Sequence, residues 1–214
     1  MFKKKPFFVI FEGIEGSGKS FQAKKLHQNL KKNKYSTILT REPGGTKNAE
    51  RIRNLILKDY FVFGKKEKLD KYSDTLLYLA ARNEHMINKV KPALKEKKIV
   101  ICDRFIDSTL AYQVYGKKVD NKFVKFIHKY VLNGTKPDLT FLLTVKIKKA
   151  LKRLKKRKKL NRYDKFPKKF YIKAQKDFIK IAKRNKKKYI VLDSSNDDTN
   201  LEKIIFKSLI KRMK

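Results

Sequence analysis

The chain has 214 residues, 41% of them apolar, which suits one α/β domain with a sizeable core. Its formal net charge is +38, almost all of the excess being lysine spread along the chain, so it reads as a solvated lysine surface rather than a specific nucleic-acid interface. The single cysteine, Cys102, excludes an intrachain disulfide, and no stretch approaches the roughly 20 apolar residues of a membrane helix.

Lys3 to Lys5 would suit the start of a secretory signal, but the apolar run that follows stops at Glu12, too early for one. A reducing, cytoplasmic setting is expected. That run, Phe7 to Phe11, is rich in β-formers and predicts a buried parallel strand. A Gly-rich turn leads into a helix over Phe21 to Leu30, then a short strand over Ser36 to Thr40 and a helix over Asn48 to Leu57. A lysine-rich connector spans Asp59 to Tyr72, and Ser73-Asp74 is placed to cap a helix running through Ile87.

Ile99 to Cys102 predicts a third buried strand, ending at Asp103-Arg104, with helices over Asp107 to Tyr115 and Asp120 to Leu132. A fourth strand is expected at Leu139 to Val145, a helix at Ile147 to Arg157 and a basic segment beyond it, and then a helix at Phe170 to Arg184. Tyr189 to Leu192 is the fifth strand and Leu201 to Met213 the last helix. Strands alternating with helices predict an α/β fold with a five-stranded parallel sheet and helices on both faces. No repeat or Pro/Gly/Ser-rich linker divides the chain, so 1–214 reads as a single domain.

Gly13-Ile14-Glu15-Gly16-Ser17-Gly18-Lys19-Ser20 matches the pattern G-x-x-x-x-G-K-[ST], between a strand and a helix. Glycines there let backbone N–H groups converge on phosphate oxygens at a helix N-terminus. Lys19, expected to face solvent from the loop, would reach the β- and γ-phosphates of ATP, and the Ser20 hydroxyl would serve Mg²⁺. The motif establishes a P-loop nucleotide binder and leaves the substrate open. Arginine is scarce, ten against a lysine background, so it marks places where a planar fork is needed. Seven of the ten, Arg41, Arg53, Arg82, Arg104, Arg153, Arg157 and Arg162, fall in segments to which the family resemblance given below assigns binding chemistry.

Four further segments follow the P-loop in order. They are Thr40-Arg41-Glu42-Pro43-Gly44-Gly45-Thr46, Tyr78-Leu79-Ala80-Ala81-Arg82, the run from Asp103-Arg104 through Ser108 to Tyr112-Gln113, and Lys136-Pro137-Asp138-Leu139-Thr140. With the P-loop they resemble the bacterial thymidylate kinase family from about Phe8 to Ala182. The resemblance implies a P-loop nucleoside monophosphate kinase fold with a short lid at about 153–164, a homodimer assembled through helices, and transfer of the γ-phosphoryl group of ATP to dTMP with Mg²⁺.

The resemblance also assigns roles. Asp103 and Ser20 would hold Mg²⁺. Arg104 would lie between donor and acceptor phosphates, and Arg53 would grip the dTMP phosphate. Tyr78 would stack on thymine while Arg82 reaches its edge. Ser108 and Gln113 match polar positions at the base, and Tyr112 the tyrosine beneath the sugar that leaves no room for a 2′-hydroxyl. Glu15 would approach the sugar and phosphate. The Glu42-Pro43 peptide would be cis. Arg153, Arg157 and Arg162 fit the family's lid arginines, with Arg157 the leading source of transition-state charge and Arg153 next. The chain departs from the family at Lys155, Asn161 and Thr144, where arginine, aspartate and an acidic residue are usual. The three histidines, His27, His85 and His128, read as structural. Rival readings are another small-molecule kinase on the same scaffold, which Tyr78, Arg82, Tyr112 and Gln113 argue against, and a nucleic-acid-binding P-loop protein, which would not need those residues.

Overall fold

The structure, a computed structural model, describes residues 5–57, 69–158, 161–196 and 200–213, with the backbone alone of Arg162 and Lys165. Most of the expected lysine-rich connector lies outside the described residues. Five strands form one parallel sheet: β1 (Phe7–Glu12), β2 (Thr37–Arg41), β3 (Ile99–Asp103), β4 (Leu139–Thr144) and β5 (Tyr189–Asp193). Their order is β2-β3-β1-β4-β5. The central strands β1, β3 and β4 are mostly apolar and buried because both sheet faces are covered there, whereas the edge strands β2 and β5 are only partly buried.

Successive residues point to opposite faces. Val9, Phe11, Ile99, Ile101, Phe141 and Leu143 pack against α1 (Lys19–Lys32) and α9 (Asn200–Met213). Phe8, Ile10, Val100 and Cys102 meet Met86, Val90 and Ala93 from the opposite side. On that same side Leu142 lies under α7 (Ile147–Lys155) and α8 (Lys168–Arg184). The remaining helices are α2 (Lys47–Leu57), α3 (Lys71–His85), α4 (Lys91–Lys95), the short α5 (Ile106–Thr109) and α6 (Asn121–Leu132).

The chain leaves β1 for β2 on one side and later crosses from β3 to β4 on the other. The carboxyl ends of β1 and β3 therefore flank the point where the strand order reverses, the usual position of a ligand crevice in such sheets. Phe11 pairs in register with Asp103, so the P-loop after β1 and the Asp103-Arg104 corner after β3 emerge side by side.

Several expected boundaries shift. Asp70, not Ser73 or Asp74, caps α3, accepting from the N–H groups of Tyr72 and Ser73. Asp74 is buried in the first turn, where it takes Lys117. The α3 helix then runs through a π-helical stretch, Met86–Val90, into α4. A second π-helical stretch, Leu110–Gly116, extends α5 and carries Tyr112 and Gln113; such widened turns re-aim side chains and recur at functional sites. The α7 helix ends at Lys155, two residues before the expected Arg157, as like charges crowd its basic C-terminal run. Asn161 then caps a 3₁₀ turn, Arg162–Lys165, in a reciprocal box with Asp164.

Candidate active site

The P-loop follows β1 directly and needs its glycines for close approach. A Cβ on Gly13 would sit 2.3 Å from the Leu143 carbonyl oxygen, and one on Gly16 2.5 Å from that of Ala150. Lys19 does not face solvent as expected. It is buried and donates from Nζ to the Ile14 carbonyl at 2.7 Å. Burial and the nearby Arg104 guanidinium bring its pKa down to about 8, against the pull of Asp103, Glu15 and Glu12. Its position beneath the loop is nevertheless where phosphate oxygens held by the loop N–H groups would converge.

At the mouth of the loop the Ser20 hydroxyl donates to Asp103 Oδ2. The other oxygen, Asp103 Oδ1, is buried without a hydrogen-bond partner. No group of three or more His, Cys, Asp or Glu gathers as a metal cage among the described residues. Mg²⁺ does not require one, because it binds through one or two hard oxygens plus phosphate and water. Ser20 and Asp103 fit that pattern.

Arg104 adopts φ 74°, a left-handed conformation that costs a non-glycine residue about 1–3 kcal/mol. Glu12, unassigned in the sequence, accounts for its persistence. Its buried carboxylate accepts from the N–H groups of Phe105 and Ser108 at 2.7 and 3.2 Å and from the Ser108 hydroxyl at 2.7 Å. Those contacts fix the corner after Arg104. Burial and the Asp107 carboxyl push the Glu12 pKa up to about 7, against the pull of Arg104 and these donors. Arg104 itself donates to the Gly13 carbonyl, to Ser108 and, at 2.7 Å, to Glu15 Oε1. Glu15 Oε2 accepts from the Tyr112 hydroxyl at 2.8 Å.

The same cleft is also lined by Arg53, Tyr78, Arg82 and Gln113. Arg53 donates to the Pro43 carbonyl at 2.7 Å, and the Glu42-Pro43 peptide is cis. Burial and the neighbouring Arg41 pull the Arg53 pKa below the ordinary arginine value, the mark of cations gathered where an anion would be welcome. Arg82 is almost wholly buried. Its Nε donates to Glu42 Oε2 at 2.7 Å, Nη1 to Thr109 Oγ1 and His128 Nε2 at 3.0 and 2.7 Å, and Nη2 to the Phe105 carbonyl at 2.9 Å. Glu42 stays ionised: burial raises its pKa, but Arg82 and His85 outweigh that and hold it below the usual carboxylate value.

Tyr163, not singled out from the sequence, stands beside Tyr78, Tyr112 and Gln113. Its hydroxyl accepts from the Tyr78 hydroxyl at 2.7 Å and from Gln113 Nε2 at 3.3 Å, and its ring lies 5.5 Å from that of Tyr112. In sequence it is one tyrosine in a basic stretch, and only the 3₁₀ turn directs it inward. In the segment expected to be the lid, Arg157 lines the cleft and pairs with Asp164 at 2.7 Å. Arg153 points to the outer side of the P-loop, donating to the carbonyls of Gly16 and Ser194 at 3.0 and 2.8 Å. The Arg162 side chain lies outside what is described.

Lys19, Ser20, Glu15, Arg53, Tyr78, Arg82, Asp103, Arg104, Ser108, Tyr112, Gln113 and Arg157 all line this one cleft. Gly13, Gly16, Ser17 and Gly18 form the loop at its end, and Arg153 braces that loop from outside.

The family model described as thymidylate kinase matches residues 11–205. A thymidylate kinase of Sulfurihydrogenibium sp. is 39% identical over 96% of this chain and 98% of its own. One from Wolbachia pipientis wMel is 44% identical over 82% and 84%. The crystal structure of thymidylate kinase from Ehrlichia chaffeensis superposes with a TM-score of 0.73 at 35% identity, covering 96% of this chain and 99% of that one. The shared sheet, the P-loop and these matches across nearly the whole length lead to one assignment: the chain belongs to the thymidylate kinase family.

Proposed function

We propose that this family member transfers the γ-phosphoryl group of ATP to dTMP, using Mg²⁺, as one catalytic unit spanning 1–214 with a lid at about 153–164. The observation that carries the reading is the layout of the cleft. Lys19, the Ser20–Asp103 pair, Arg53, Arg104, Tyr78, Arg82 and Gln113 all line one cleft. That set would serve the donor phosphates, the acceptor phosphate and the base.

Phosphoryl transfer asks a protein mainly for alignment and charge. The loop N–H groups and Lys19 hold the donor phosphates. Arg53 and Arg104 hold the acceptor phosphate, whose oxygen is already anionic and needs no general base. Glu15, fixed between Arg104 and Tyr112, positions both. Tyr112 beneath the sugar excludes a 2′-hydroxyl. Ser20 and Asp103 would hold Mg²⁺, which supplies neutralising charge to the phosphate oxygens. Arg157, on the lid, adds a guanidinium to the moving group, and Arg153 steadies the loop.

The exposed Leu55, Leu76, Ile87, Phe126 and Tyr130 on or next to α2, α3 and α6 support a homodimer through helices. ATP and dTMP are the partners, in a cytoplasmic setting, and no specific nucleic acid is needed. With γ-labelled ATP, dTMP and Mg²⁺, the label should appear in dTDP and depend on all three components. Label released only as inorganic phosphate would overturn the reading.

A further inference from the structure

Arg82 has five N–H donors. Four are committed inside the protein: one to Glu42, two to Thr109 and His128, and one to the Phe105 carbonyl. The fifth, on Nη2, has no partner among the described residues, and Arg82 lines the cleft together with Tyr78 and Gln113. A single free donor held in one orientation favours an acceptor such as the 4-carbonyl of thymine. It opposes the 4-amino group of cytosine, where donor would meet donor. The base preference then depends on how firmly the guanidinium is held.

Two histidines on different helices set that grip. On α6, His128 is buried, and its Nε2 lies 2.7 Å from Arg82 Nη1. Arginine can only donate, so Nε2 must accept and the ring proton must sit on Nδ1. The ring is neutral here, its pKa brought down to about 3 by burial and the Arg82 charge. On α3, His85 is fully buried, with Nδ1 2.9 Å from Glu42 Oε1 and Nε2 2.7 Å from the Thr40 hydroxyl. Glu42 uses its other oxygen for Arg82. The guanidinium is thus gripped from the β2 side through Thr40, His85 and Glu42, and from the α6 side by His128 directly. Phe105 packs against its plane, 5.1 Å from the guanidinium carbon to the ring centre.

We propose that His128 is a positioning residue for base selection: its Nε2 lone pair fixes the Arg82 guanidinium, so that the one free N–H accepts only a pyrimidine that offers an acceptor at position 4. The inference rests on the reading of the cleft as a dTMP site. Without the His128 acceptor, an Nη1 N–H loses its partner, the guanidinium turns or takes up water, and the distinction between carbonyl and amino group weakens.

The test compares kcat/KM for dTMP and dCMP, and KM for ATP, in wild type, His128→Leu, His128→Gln and His128→Asn. The glutamine carbonyl reaches the place of Nε2, whereas the asparagine carbonyl reaches only that of Nδ1. His128→Leu should lower the dTMP-to-dCMP ratio by about tenfold or more and leave KM for ATP within about twofold. His128→Gln should recover most of the ratio, and His128→Asn should not. If His128→Leu does not fold, the glutamine and asparagine variants decide, and equal selectivity in the two overturns the proposal. So does an unchanged ratio in a folded leucine variant, or a loss that falls equally on dTMP, dCMP and ATP. A wild type that does not prefer dTMP over dCMP defeats the dTMP reading itself, whereas a selective wild type with indifferent variants defeats only the role of His128.

Discussion

Lys19 must be cationic to meet phosphate, yet it sits where that charge is hard to keep. Burial and Arg104 bring its pKa down to about 8. An amine is charged below its pKa and neutral above it, so the free enzyme loses the charge as pH rises through about 8. Because kcat/KM reports groups of the free enzyme, kcat/KM for ATP should fall above about pH 8. The fall in kcat should come at higher pH, since bound phosphates favour the ammonium. Lys19→Ala should cost about 10²–10³ or more in kcat, on the scale of removing one transition-state donor from a dry site. A folded alanine variant with near-normal kcat would remove the lysine from the mechanism. At this scale the sequence told much about the site, because the P-loop and the Asp103-Arg104 corner are contiguous strings whose chemistry is local. It did not reveal Glu12 as the support for Arg104. A carboxylate ending an apolar strand was visible, but its three donors come from residues more than ninety positions away. His85 and His128 looked structural for the same reason, since their partner Arg82 becomes a neighbour only when α3 and α6 pack.

Among the elements, the proposed lid at about 153–164 is the one whose role would depend on closing. Arg157 is half exposed and parked on Asp164, which also accepts from the backbone N–H and side-chain amide of Asn161. The departure at Asn161 is therefore absorbed locally, with Asn161 capping the turn and Asp164 supplying the carboxylate. An arginine delivered to a phosphoryl transition state is worth about 10³–10⁵ in rate, and neighbouring lysines can stand in partly. Arg157→Ala should thus lose about 10³ in kcat, with a smaller change in KM for ATP. Arg153→Ala should act chiefly on ATP binding, because Arg153 ties the Gly16 carbonyl to that of Ser194. Steady-state kinetics of both single variants and the double would separate the roles. If the double variant keeps kcat within a few-fold of wild type, the charge comes from elsewhere. The strands were legible in the sequence, the central ones most clearly, since strands covered on both faces read as short apolar runs. The π-helical stretches were not, because a widened turn keeps the same composition and is set by packing around it.

For the whole molecule, the +38 charge is expected to act as a field rather than as a site. It should draw nucleotides toward the cleft and bind DNA or RNA without sequence preference. Such binding releases counterions, and a protein with several phosphate contacts loses about 10³–10⁵ in affinity between 50 and 200 mM salt. A titration of DNA across that range should show a steep loss, identical for unrelated sequences. A sequence-specific complex that survives the higher salt would give the charge a function the cleft does not explain. Selectivity is instead expected from the cleft, where the proposed roles put Tyr112 at the sugar and Tyr78, Arg82 and Gln113 at the base. The most direct test is a coupled assay of ATP with dTMP, dUMP, UMP, CMP and AMP side by side. The predicted result is kcat/KM far higher for dTMP than for any ribonucleotide. dUMP should trail dTMP by about 10–200-fold for its missing methyl group. Comparable kcat/KM for UMP or CMP would contradict the account.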